Sequence, residues 1–258
     1  MRIRLVAIAV CFTAFTLITS RAEAQNDTVG EISVLYWKPT PELVISTPGA
    51  SNVGINEIDF VSEFSLEDKW FPEFRGSLGR KHKLRFGYVP IRYEASATIT
   101  RPITLEGITF TVGAPATADI KWDLWRVGYE WDFVSMDRGF FGVIVDLKYN
   151  KVTATIDSPA LARAATTEQK APVPTIGAIG RGYVTPNVAI SAEFTALKID
   201  RDEFNAKFYD FDVNAFVTFG RNIGAQGGYR SVTVDYLVDE DSGDFKMQGP
   251  YAGVILRF

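Results

Sequence analysis

The side chains able to do chemistry in this sequence are charged rather than nucleophilic. Its 258 residues hold one histidine and one cysteine. Cys11 sits in an apolar leader, so no thiol–imidazole pair can form in the rest of the chain. His82 lies in Gly79-Arg80-Lys81-His82-Lys83. That run reads as a solvated basic turn, and no serine or carboxylate is placed to make His82 a catalytic base. Glu193, Asp210 and Asp212 could gather from neighbouring segments around a divalent cation, but pairing with Arg181 or Arg230 is the expected arrangement. Gly177, Gly180 and Gly182 have no phosphate-loop context and read as strand glycines that permit close packing. The sequence therefore predicts no catalytic, cofactor-binding or metal-binding residue.

The elements that carry these charges alternate with period two. Ten strand candidates can be marked: 28–37, 70–78, 82–95, 120–134, 139–156, 173–184, 187–199, 207–219, 223–238 and 245–258. In the eighth, Tyr209, Phe211, Val213, Ala215, Val217 and Phe219 share one face, and Asp210, Asp212, Asn214 and Thr218 share the other. Repeated alternation of this kind predicts strands with one apolar face. From Tyr209 to Phe219, steps of about 3.3 Å tilted by about 40° rise roughly 25 Å, the height of the apolar band of a membrane-spanning barrel. Rings at both ends of such faces, as with Trp125 and Phe133 or Phe141 and Tyr149, suit two interfacial girdles.

Short turns (79–81, 135–138, 185–186, 220–222) alternate with longer connections (38–69, 96–119, 157–172, 200–206, 239–244). This predicts a closed antiparallel transmembrane β-barrel of ten strands, with eight as the fallback. The segment 58–64 inside the first long connection could be an extracellular hairpin arm, or it could displace 70–78 as a strand. Several strands also change phase: Leu84, Phe86 and Tyr88 give way to Val89, Ile91 and Tyr93, and Trp122 and Leu124 to Trp125 and Val127. Two causes fit, β-bulges near the rim or strands that outrun the bilayer, so that apolar residues turn inward. The second is preferred, and it predicts an apolar plug or pocket near the outer mouth.

The chain opens with Arg2 and Arg4, an apolar run from Leu5 to Ile18, and Ala22-Glu23-Ala24 before Gln25. This reads as a secretory leader cleaved after Ala24, leaving residues 25–258 as one barrel domain. Loss of residues 1–24 takes three bases from 27 and one acid from 31, for a net charge of −6. That balance argues against a nucleic-acid partner.

The last stretch, Tyr251-Ala252-Gly253-Val254-Ile255-Leu256-Arg257-Phe258, is a strand with an apolar face closed by a terminal Phe. It resembles the last strand of the bacterial outer-membrane β-barrel superfamily. The resemblance implies a location in the outer membrane and an assembly signal in Tyr251, Val254, Leu256 and Phe258. It also implies outer-membrane lipids, lipopolysaccharide, periplasmic chaperones and the barrel-assembly machinery as partners of a monomer. Since no residues follow Phe258, no periplasmic domain of the kind some relatives carry is expected. With apolar faces toward lipid, the opposite faces line the lumen. They carry Glu73, Arg75, Arg85, Arg126, Glu130 and Asp146, then Arg181, Glu193, Asp210, Asp212, Arg230 and Arg257, joined by Glu31, Asp132 and Lys148. These near-balanced charges predict a paired plug. The expected role is a small, largely plugged surface barrel without enzymatic activity, with an envelope-structural, adhesive or narrow-pore function. Two other readings stay open, a lipid-modifying or proteolytic barrel enzyme and a soluble secreted barrel with an apolar ligand inside.

Overall fold

A computed structural model describes residues 28–46, 57–201, 204–220, 222–238 and 241–258. The leader, its cleavage after Ala24 and Cys11 lie outside these residues. In chain order the strands are β1 (Gly30–Trp37), β2 (Thr40–Ser46), β3 (Glu57–Asp59), β4 (Phe71–Leu78), β5 (His82–Thr98), β6 (Ile103–Leu105) and β7 (Ile108–Phe110). They continue as β8 (Pro115–Met136), β9 (Gly139–Ser158), β10 (Arg163–Thr185), β11 (Val188–Arg201), β12 (Phe204–Phe219), β13 (Ile223–Val238) and β14 (Asp241–Arg257). A short helix, α1 (Phe60–Phe64), precedes β4. Ten strands, β1-β4-β5-β8-β9-β10-β11-β12-β13-β14, pair antiparallel in that order, and β1 pairs with β14 to close the ring. The eight-strand fallback is excluded.

The phase changes have a clear physical cause. In β9, Ile144, Asp146, Lys148 and Asn150 point inward, and so do Ala154 and Ile156 further out. In β8 the inward row runs from Glu130 and Arg126 to Leu124, Trp122 and Ile120 without a break. Parity therefore holds along each strand, and the chemistry of the two faces changes instead. Register shifts fall near the short turns, at Trp131/Val134 and at Tyr183/Thr185. A change in the chemistry of the two faces along each strand, and not bulges at the outer rim, explains the pattern.

Three expectations need correction. The long connection 38–69 is not a plain loop, because Thr40–Ser46 continues along β14 in the register of β1: Trp37 pairs with Tyr251 and Thr40 with Gln248. Pro39 and Pro41 hide this continuation in the sequence. The segment 58–64 is no rival strand. Asp59 caps α1 by accepting from the Val61 and Ser62 amides at 3.0 and 3.2 Å, and Phe60 and Phe64 stack on its buried side with ring centres 6.0 Å apart. The connections 96–119 and 157–172 are mostly strand: β5 and β8 pair out to Thr98 and Pro115, and β9 and β10 out to Ser158 and Arg163.

The wall carries two seams in its outer half. The β4–β5 ladder stops at Phe74 and Tyr88; carried two residues on, the same register sets Pro72 against Pro90, where neither residue has an N–H to donate. The β10–β11 ladder likewise begins only at Ile176, just past Pro172 and Pro174. Between these seams the strands form two facing walls. The space between them is filled by a large apolar cluster that includes Trp37, Ile91, Tyr93, Trp122, Phe245 and Met247. Phe60 and Phe64 of α1 fill the first seam. The β6–β7 hairpin adds Ile103, Leu105 and Phe110 from above, turning on Glu106 and Gly107, both at positive φ.

Candidate functional site: the charged lumen

Below the apolar cluster the inward faces are polar. Each strand sends in every second residue, so charges from non-adjacent strands meet across a narrow barrel. The geometry sorts them into three connected groups.

The first lies nearest the short turns. The Arg181 guanidinium donates to both carboxylate oxygens of Glu31 at 2.6 and 3.0 Å. Arg257 donates to Glu31 at 3.0 Å and to the Tyr183 hydroxyl at 2.9 Å. The second spans β5, β8, β9 and β11. Lys83 reaches Glu130 and Asp132, each at 2.6 Å. Arg85 pairs with Glu193 and, at 3.3 Å, with Glu130, and stands 3.9 Å from Asp146. Arg126 pairs with Glu193 at 3.0 Å. The third group crosses the lumen at its centre. Arg230 binds both oxygens of Asp210 at 3.0 and 2.9 Å and reaches Glu73 at 2.6 Å. Arg75 joins Glu73 at 2.7 Å to Asp212 at 2.9 Å. The fully buried Lys148 donates to Asp210 and to the Thr195 hydroxyl, both at 2.6 Å.

All fifteen charged residues expected in the lumen face inward; fourteen make ion pairs at 3.3 Å or less, while Asp146 has only Arg85 at 3.9 Å and its carboxylate is buried without a hydrogen bond. Lys83 belongs with them, although its basic neighbours suggested a turn; it shares the parity of Arg85, which is the signal that could have found it. Tyr251 also belongs here. It is 2% exposed, donates to Asp212 at 2.7 Å and lies under Arg75, 4.6 Å from its ring centre. Its partners on the terminal strand, Val254, Leu256 and Phe258, point outward and are half exposed. Among the described residues no group of three or more His, Cys, Asp or Glu could hold a metal ion; Asp210 and Asp212 are taken up by arginines and Lys148, and Glu193 by Arg85 and Arg126.

His82 lies outside the lumen. Its ring stacks on Trp131 at 6.1 Å and its Nδ1 meets the Tyr129 hydroxyl. The remaining lumen space is small: a cavity of about 80 Å³ between the groups and one of about 40 Å³ at the end nearest the short turns. Gly177, one of the strand glycines, is required by close packing, since a Cβ there would lie 1.9 Å from the Phe194 carbonyl oxygen.

Outside the ring, Val127, Val145, Leu147 and Val254 form an exposed apolar band. Rings bound it, with Tyr36, Tyr88, Trp125 and Tyr149 on one side and Trp131, Phe133, Phe141 and Phe258 on the other. Such a surface suits a bilayer and not water. No family model matches the sequence, and no curated protein matches it. Among solved structures, the outer-membrane protease OmpT of Escherichia coli is similar with a TM-score of 0.51 at 10% identity, covering 90% of this chain and 97% of that chain. This chain has the fold of a bacterial outer-membrane β-barrel. Lower in similarity stand the attachment invasion locus protein Ail of Yersinia pestis (TM-score 0.39, 9% identity, 89% and 99% of the chains) and the toluene transporter TodX of Pseudomonas putida (0.34, 8%, 93% and 92%).

Proposed function

We propose that the chain is an integral outer-membrane barrel whose lumen is sealed, serving as a surface-exposed structural or adhesive element of the envelope. The observation that carries this reading is the stacking of two barriers. A cross-lumen network centred on Arg230, Asp210 and Glu73 closes the membrane level, and an apolar cluster around Trp122, Phe245 and Met247 closes the outer level. A solute would have to separate paired charges and then cross a dry region, and both steps are expensive. Outer-membrane lipids and lipopolysaccharide are the partners this surface suits, with periplasmic chaperones and the barrel-assembly machinery acting during biogenesis.

A proteolytic role, as in the solved neighbour OmpT, has little support here. The sole histidine is stacked outside the barrel against Trp131, and every lumen carboxylate but Asp146 is held closely by arginines or lysines. A soluble ligand carrier would need the Val127 and Leu147 face inside, whereas it points out. Membrane fractionation with heat-modifiable gel mobility tests the location, and planar bilayers test the seal. Membrane-bound, heat-modifiable protein with no steady current is the expected result. Sizeable, stable channels would overturn the sealed-lumen reading.

A further inference from the structure

The two seams in the outer wall are built alike and finished differently. The seam beside β5 is filled by the chain itself, since Phe60, Phe64 and Leu66 are buried in it. Asp68 accepts from the Thr40 hydroxyl at 3.2 Å and Lys69 donates to the Glu94 carbonyl at 3.4 Å, latching the segment to both sides. No described segment fills the seam between β10 and β11. β10 stays paired with β9 out to Arg163, and β11 with β12 out to Arg201, so both lips are held from behind while the ladder between them is missing above Ile176. A proline is tolerated in a strand where its nitrogen faces an unpaired edge; Pro172 and Pro174 mark this edge as one that carries no ladder.

The lining fits an opening. Gln169 and Ala171 have inward parity yet are exposed, and Val152, Val173, Leu197 and Val234 are only half-buried against the apolar cluster. Further out on the same lip, Ala165 and Thr167 are buried again, as are Ile156 and Ala154 opposite them, so the opening is confined to the level of Gln169 to Val173. At the base, opposite Ala171, the Asn150 Nδ2 is buried without a hydrogen-bond partner, while Asn150 Oδ1 accepts from the Trp122 indole at 3.1 Å. That base lies at the outer ring of aromatics, because Pro172 is the cross-strand neighbour of Tyr149. Oxygen-bearing ends of lipids occupy this level of a membrane.

We infer that the β10–β11 seam is the side entrance of a binding site for a single acyl chain. The chain lies in the seam along the edge of the packed cluster, against Val173, Leu197 and Val234, and its carboxyl or ester oxygen accepts from Asn150. The inference rests on the outer-membrane reading above. A free fatty acid and a lipid of the outer leaflet share this chemistry.

The test uses the two interior tryptophans. Trp37 and Trp122 are buried, whereas Trp70, Trp125 and Trp131 are exposed, so Trp70→Phe/Trp125→Phe/Trp131→Phe leaves only the interior reporters. Bromine quenches indole emission on contact. The full barrel is titrated with dibromostearic acid in detergent, and separately placed in vesicles of bromoacyl phosphatidylcholine. Saturable quenching is expected in at least one arm, and the arm that responds identifies the source. Val173→Asp and the safer lip variant Ala171→Asp should weaken it by at least about tenfold, a charge being costly in an apolar site. Val61→Asp, on the filled seam, should leave it unchanged. Absence of quenching in both arms, or equal quenching in all variants, overturns the site. Heat-modifiable mobility of the same samples reports the barrel itself, so failure of the outer-membrane reading shows separately.

Discussion

Arg230 clamps Asp210 with two parallel hydrogen bonds of 3.0 and 2.9 Å while its third nitrogen reaches Glu73 at 2.6 Å. One guanidinium thus ties β13 to β12, its neighbour, and to β4 on the far side of β14 and β1. All three side chains are nearly devoid of solvent. Removing one member of such a group strands the others, which for buried pairs costs about 3–5 kcal/mol. Arg230→Ala should therefore lower stability in detergent by roughly that amount, read from the midpoint of denaturant unfolding. The double change Arg230→Met/Asp210→Leu should cost clearly less, because it removes the stranded charge along with its partner. Equal losses in the two variants would mean that the network contributes through packing alone.

The apolar band has sharp edges. Val145 and Thr153 share the outward face of β9, one below and one above the ring residue Tyr149. An arginine at the middle of the bilayer costs about 2–4 kcal/mol and near or beyond its edge about 0–1. Val145→Arg should destabilise the barrel in lipid by that larger amount and Thr153→Arg by the smaller. Similar values at both positions would remove the band from the membrane.

Much of this barrel was legible because period two survives along whole strands: Asp210 and Asp212 opposite Phe211 and Val213 are enough to orient β12. What was hidden follows from physics that alternation does not carry. Thr40–Ser46 pairs in perfect register with β14, yet its prolines read as a break. Along residues 163–171 the inward side chains are small or polar, with Ala165 and Thr167 buried and Gln169 and Ala171 exposed, so no apolar alternation marks them. A five-residue helix such as α1 exists only through packing of Phe60 and Phe64 into the seam. The lumen charges were predictable as a set, but their partners were not. Arg181 finds Glu31 across the barrel, a choice set by barrel diameter and strand stagger.

The outer end of the β13–β14 hairpin should respond to pH. Asp235 and Asp244 are direct cross-strand neighbours. Loss of water around Asp244, and then the Asp235 carboxylate, hold its carboxyl above the ordinary range. A raised folded-state value means that the folded hairpin prefers the protonated acid. Stability is thus greatest below the ordinary carboxylate range and is lost as pH rises through the raised value. Limited proteolysis of the hairpin should quicken between mildly acidic and neutral pH, beyond the protease's own pH dependence. Asp244→Asn should abolish that acceleration; an unchanged acceleration would place its origin elsewhere.

Phe258 closes the ring at the seam between the first and last barrel strands. Its carbonyl accepts from the amides of Val29 and Gly30 at 2.6 and 2.8 Å, and its amide donates to the Gly30 carbonyl at 3.0 Å. Gly30 leaves room for the Phe258 ring, since a Cβ there would stand 2.6 Å from it. Deleting Phe258 removes these bonds, each worth about 1 kcal/mol net, so a barrel refolded in detergent should lose about 1–3 kcal/mol. That is a modest loss for a closed barrel with an intact lumen network. If the terminal residues also act as an assembly signal, the same deletion should reduce the amount reaching the outer membrane of cells far more than this stability loss can explain. Leu256→Asp, on the same outward face, should behave alike. Quantitative blotting of outer-membrane fractions beside unfolding curves separates the two effects. Normal membrane levels of the deletion would confine Phe258 to closing the seam.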